Sequence, residues 1–112
     1  MAQLTRRNYA VTTATIANAG TTSNAVDVRG FPFGTISTPG TMTGTVFTFL
    51  GSSDNGVTFN PVCDTNGNAV SKTWSTSKGY PFPPELAGYT HFKIVGGSAE
   101  SGARSFNISV SG

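Results

Sequence analysis

Apolar and polar residues alternate along most of this chain, with the period of two that a half-buried β-strand requires. The alternation is cleanest near the C-terminus, where Phe106, Ile108 and Val110 are interleaved with Asn107 and Ser109. That pattern predicts a strand over 104–110. The same reasoning places strands over 8–17, 25–29, 35–38, 89–95 and 69–74. In the segment 25–29 the apolar Val26 and Val28 alternate with the charged Asp27 and Arg29, so one face is buried and one is wet. In the segment 89–95, Phe92 and Ile94 share a face.

The central stretch runs from Thr43 to Cys63 and reads as a hairpin. Its arms are 43–52 and 57–63, rich in the Val, Thr and Phe that suit a pleated surface. Asp54-Asn55-Gly56 supplies residues that tolerate positive φ in a tight turn. Phe47, Phe49 and Phe59 are expected to point into the core. A second turn, Asp64 to Asn68, leads into the next strand. The segment 75–86 reads as a loop, because Pro81, Pro83 and Pro84 cannot donate to a ladder. No stretch keeps helical spacing for ten residues. About eight short strands with regular turn signals imply an all-β, two-sheet sandwich. A jelly roll of two four-stranded sheets fits best. An immunoglobulin-like sandwich is the alternative, but the Cys…Trp…Cys spacing of that fold is missing.

A length of 112 residues favours one domain, taken as 8–112, preceded by an N-terminal arm over 1–7. Arg6-Arg7 followed by Tyr9-Ala10-Val11 and ending in Ala17-Asn18-Ala19 mimics a signal peptide. Thr12, Thr13 and Thr15 spoil its apolar region, so a strand with a short basic lead-in is expected. No apolar run approaches the ~20 residues of a membrane helix. Charged residues make up only 11% of the chain, against about 25% in typical soluble domains. Thr, Ser, Gly and Asn replace them, which suits either a protein packed against something else or simply a small β-domain with a neutral surface. A formal charge of +2, with the basic residues scattered, is too small for a nucleic-acid footprint. The single cysteine, Cys63, is expected to be a buried, inert thiol.

Candidate chemistry is sparse. His91 is the only histidine. No Gly-x-Ser-x-Gly elbow accompanies it, so a Ser-His-Asp set with Asp27 or Asp64 has little to rest on. The carboxylates Asp27, Asp54, Asp64, Glu85 and Glu100 are spread along the chain, and nothing singles out two as a glycosidase pair. Asp64-x-Asn66-x-Asn68 opens like a calcium loop, but Ala69 and Ser75 stand where such a loop wants Gly and Glu. Turn chemistry explains it without metal, so no metal or cofactor is expected. Lys78-x-x-Pro81-x-x-Pro84 has the spacing of a proline-rich ligand, but is expected to pack across the end of the sandwich. The sequon Asn107-Ile108-Ser109 lies in a predicted strand and reads as a chance match. Trp74, Tyr80 and Tyr89 surround the long loop and could form a platform for a host glycan. The competing reading is that they plug the core.

One longer pattern carries a resemblance. It runs Phe47-x-Phe49-x-x-x-Ser53-Asp54-x-Gly56-x-x-Phe59-x-Pro61-Val62-x-Asp64-x-x-Gly67-x-x-Val70. The earlier Gly34-x-Ile36-x-Thr38-Pro39, the later Pro84-Glu85-Leu86-Ala87-Gly88-Tyr89-Thr90-His91-Phe92-Lys93-Ile94-Val95 and the closing Arg104-Ser105-Phe106-Asn107-Ile108 fit with it. Together these resemble small structural proteins of tailed bacteriophages, over roughly residues 25–110. The resemblance implies a β-sandwich without enzymatic activity or cofactor. It implies a virion component, most often a capsid decoration or cement protein, otherwise a head-fibre or tail accessory protein. Its partners would be the major capsid protein or other virion proteins, and it would be a homo-oligomer, with a trimer among the options. No catalytic motif is carried over. The capsid-contact candidates are Arg6 and Arg7, which could pair with acidic rims, and Tyr9.

Overall fold

The structure is a computed structural model that describes residues 9–29, 31 and 33–111. The predicted arm, with Arg6 and Arg7, lies outside the described residues. Nine strands are present among those described: β1 (Tyr9–Ile16), β2 (Val26–Asp27), β3 (Phe33–Ser37), β4 (Val46–Ser52), β5 (Asn60–Pro61), β6 (Lys72–Thr73), β7 (Gly79–Pro81), β8 (His91–Gly96) and β9 (Arg104–Ser111). One sheet has the order β1-β9-β3-β7, and the other β2-β8-β4-β5 with β6 also on β4. Every pairing is antiparallel. β5 and β6 lie along the same edge of β4, at Leu50–Gly51 and Val46–Phe47 respectively. Taken as one interrupted strand, they leave eight strands, and the chain changes sheet at every connection except the β4–β5 turn. This is the jelly-roll sandwich that the alternation predicts.

The core lies where the two inner faces meet. β1, β3 and β9 contribute Ala14, Ile16, Ile36, Phe106, Ile108 and Val110. β2, β4 and β8 contribute Val26, Phe47, Phe49, Phe92 and Ile94. Burying each large apolar side chain contributes about 1.5–3 kcal/mol. Trp74 follows β6 and closes the centre. Its ring stacks on Phe47 at 5.0 Å and on Tyr80 at 5.6 Å, and meets the edge of Phe49 at 5.7 Å.

The central hairpin differs from expectation in two respects. The chain between β4 and β5 is a loop over residues 53–59, so only its tip has the expected turn chemistry. There Asn55 and Gly56 take positive φ. Asp54 holds the loop, accepting from the Ser52 hydroxyl at 2.7 Å and the Thr58 amide at 2.8 Å. Phe59 is therefore not a core residue. It is half-buried on the outer side, with the Lys93 ammonium 4.4 Å from its ring centroid. Cys63 is likewise not buried: Val62 takes the inward position, and alternation turns its neighbour to solvent. The 75–86 segment is not simply a loop. It holds β7, and Pro84–Leu86 form a 3-10 helix.

Candidate functional site

Two glycines let aromatic rings lie directly on strand backbone at one end of the sandwich. A Cβ on Gly34 would stand 2.6 Å from the Phe82 ring, and one on Gly51 would stand 2.7 Å from the Tyr89 ring. The Phe82 amide donates to the Gly34 carbonyl at 2.9 Å, and its ring meets the edge of Phe92 at 5.3 Å. An apolar groove of about 430 Å³ opens here between Val28, Phe31, Phe82, Leu86 and Tyr89, with Arg29 at its rim. A hollow of about 300 Å³ lies on the other side of Phe82, against Phe33 and the prolines.

A polar cluster borders this end. Asp27 accepts from Arg29 Nη2 at 2.7 Å and from Nε at 3.0 Å. Those side-chain bonds, with the Arg29 amide, pull the Asp27 carboxyl down to about 2. His91 Nε2 stands 3.9 Å from Asp27 Oδ2, and Nδ1 lies 3.0 Å from Thr90 Oγ1. A histidine beside a carboxylate is one requirement for base catalysis, but the neighbouring hydroxyls are engaged elsewhere. The Thr90 hydroxyl donates to the Ser52 carbonyl at 3.0 Å and accepts from the Asn55 amide at 3.2 Å. Ser52 Oγ donates to Asp54 and accepts from the Gly56 amide at 2.9 Å. Both hydroxyls hold the β4–β5 loop. Asp64 is committed in the same way, accepting from the amides of Asn66 and Asn68 at 2.9 and 3.0 Å. Among the described residues, no three His, Cys, Asp or Glu side chains converge as metal ligands.

A third feature is the outer face of the sheet β1-β9-β3-β7. The register aligns Thr15 with Ser105, Thr13 with Asn107 and Ser37, and Val11 with Ser109, Thr35 and Pro81. Phe33, 60% exposed, stands one row further on, opposite Ser111. Every one of these side chains is small, hydroxylic, amidic or apolar, and none is charged. The opposite sheet, by contrast, carries Asp27, His91 and Lys93 on its outer side.

This architecture is shared with a prophage-derived protein. The SPBc2 prophage-derived protein YomS aligns over 98% of this chain and 100% of its own, with a TM-score of 0.59 at 17% identity. The likeness to YomS is one of fold. The Yersinia pseudotuberculosis-derived mitogen and a Bacillus endospore appendage protein align with TM-scores of 0.40 and 0.39, at 15% and 19% identity. They cover 94% and 99% of this chain, and 86% and 96% of their own. No family model matches the chain, and no curated protein matches it in sequence.

Set on the fold shared with YomS, the predicted site residues fall in different places. Arg6 and Arg7 lie outside the described residues. Tyr9 opens β1 opposite Ser111, and its side chain lies outside the described structure. Trp74 is only 3% exposed, and both its faces are covered by Phe47 and Tyr80. It plugs the core and has no free ring face for a sugar, so the Trp74–Tyr80–Tyr89 platform is not formed. Tyr80 is half-buried, and its hydroxyl accepts from the Ser75 amide at 2.8 Å. Tyr89 is half-buried against Gly51. The uncharged sheet face is a feature that residue-by-residue inspection missed. Its signal lay in the outward positions of four strands, all without charge, and became visible only once the register set them side by side.

Proposed function

We propose that this chain is a non-enzymatic structural protein of a tailed-bacteriophage particle, a decoration or cement protein bound to the assembled shell. The observation that carries the proposal is the uncharged outer face of β1-β9-β3-β7. Burying charge at an interface is costly unless each charge is paired, and interface centres are depleted of Lys, Glu and Asp. A face of Thr, Ser and Asn can be buried without that cost, because hydroxyls and amides both donate and accept. Apart from Phe33, the short side chains of this face also allow close approach. The fold held in common with a prophage-derived protein supports this, as does the resemblance of residues 25–110 to small phage structural proteins. The partner would be the major capsid protein or another virion protein. The arm, with Arg6, Arg7 and Tyr9, would add a second anchor, and oligomer avidity would strengthen many weak contacts.

The test is co-sedimentation of the purified chain with shells of its own phage that lack it. Wild-type protein should pellet with the shells. Thr35→Glu puts one charge at an exposed position in the middle of the face, and should weaken binding by about tenfold or more without changing the melting temperature. Wild-type protein that stays in the supernatant would rule out the shell. Binding unaffected by Thr35→Glu would rule out this face as the contact.

A further inference from the structure

We propose that the first half of β1 is a docking strand for a second copy of this chain, pairing antiparallel about a two-fold axis at Val11. β1 is an edge strand of eight residues. It contains no Lys, Arg, Asp, Glu or Pro, the residues that blunt exposed edges against pairing. Ala10, Val11, Thr12 and Thr13 are all exposed, so among the described residues this half is uncovered on both faces. Val11, at 66% exposure, is the largest apolar side chain left to water among its described ones.

The open stretch has a defined end. Asn24 accepts from the Thr15 amide at 2.7 Å and donates to the Thr13 carbonyl at 3.4 Å, and Ile16 bridges to Ser23. Those bonds show that the backbone groups of the odd-numbered residues face away from β9. By the same alternation, the amides and carbonyls of Tyr9 and Val11 face outward. Among the described residues nothing pairs with them. Asn24 thus seals the edge from the Thr13 carbonyl onward and leaves open the outward groups of Tyr9 and Val11 and the Thr13 amide, with Val11 at the midpoint of 9–13.

A two-fold axis there makes the strand complementary to itself. Val11 meets Val11 of the second copy as a hydrogen-bonded pair, Tyr9 meets Thr13, and Ala10 meets Thr12. The β-branched pair packs across the junction, and no like charges face each other. The two four-stranded sheets join into one eight-stranded sheet, with a continuous uncharged outer face. An isologous contact of this kind closes at two copies. The inference stands apart from the shell-binding proposal, since it concerns the free protein.

Sedimentation equilibrium on the full chain, from micromolar to millimolar concentration, tests it. The expected result is a reversible dimer with twice the 11.6 kDa chain mass. Val11→Lys sets two ammonium groups opposite each other and should raise the dissociation constant by about tenfold or more. Circular dichroism and melting temperature should be unchanged in that variant, because Val11 touches little of its own chain. Hydrogen exchange gives a readout on the wild type alone: the Val11 amide should be protected where the dimer is populated and become exposed on dilution. A chain monomeric throughout, a trimer, a dimer indifferent to Val11→Lys, or a Val11 amide unprotected in the dimer would overturn the proposal.

Discussion

Glu100 is only 2% exposed and its carboxylate is fully engaged. It accepts from the Thr43 amide at 2.7 Å, the Gly44 amide at 2.9 Å and Arg104 Nε at 3.0 Å, tying the β3–β4 connection to the start of β9. Burial pushes its pKa up, but those three donors outweigh burial and hold it below the usual carboxylate range. Glu100→Ala leaves two inward amides and a guanidinium without their acceptor, and should cost about 2–4 kcal/mol in urea unfolding. Glu100→Gln, which keeps one acceptor oxygen, should cost less. Asp27 is pulled down to about 2 by Arg29, and Asp54 to about 2 by the Thr58 amide and the Ser52 hydroxyl. All three folded values lie below their unfolded ones, so the stability they contribute is present above about pH 4. It is lost as pH falls through the folded values. Melting temperature should therefore drop between about pH 4 and 2, and Glu100→Gln should flatten that drop.

The β4–β5 connection and β7 show how far elements were legible. Asp54-Asn55-Gly56 was readable as a turn because those residue types suit positive φ. The length of the loop around it was not readable. Strand propensity in Val57, Thr58 and Phe59 extends up to the turn, while the ladder with β4 resumes only at Asn60 and Pro61. Phe59 was misplaced for that reason. Reading 75–86 as a loop relied on proline as a breaker, yet Pro81 closes β7 on the free edge of a sheet, where a strand needs donors on one side only. The aromatic end was partly legible: its rings were visible in sequence, but not the glycines beneath them. Gly51→Ala would place a methyl 2.7 Å from the Tyr89 ring. It should lower stability by about 1–3 kcal/mol and raise the solvent exposure of Tyr89, read by tyrosine fluorescence quenching.

At the scale of the whole molecule, the two sheets of the jelly roll have different outer surfaces. The sheet β2-β8-β4 carries Asp27, His91 and Lys93 and is overlaid by the β4–β5 loop. Among the described residues the outward side chains of the sheet β1-β9-β3-β7 are uncharged, and the first half of its β1 edge is unpaired. Low overall charge hinted at a surface made for contact, but composition cannot say how uncharged residues are shared between two faces. That requires the strand order, which brings β1, β9 and β3 together from opposite ends of the chain. The central claim is that this face meets a phage shell. An image reconstruction of the mature particle tests it most directly. The prediction is a jelly-roll density on the shell surface with Thr35, Asn107 and Ser109 turned towards the capsid protein. Particles without such density, or with that face turned to solvent, would contradict the account.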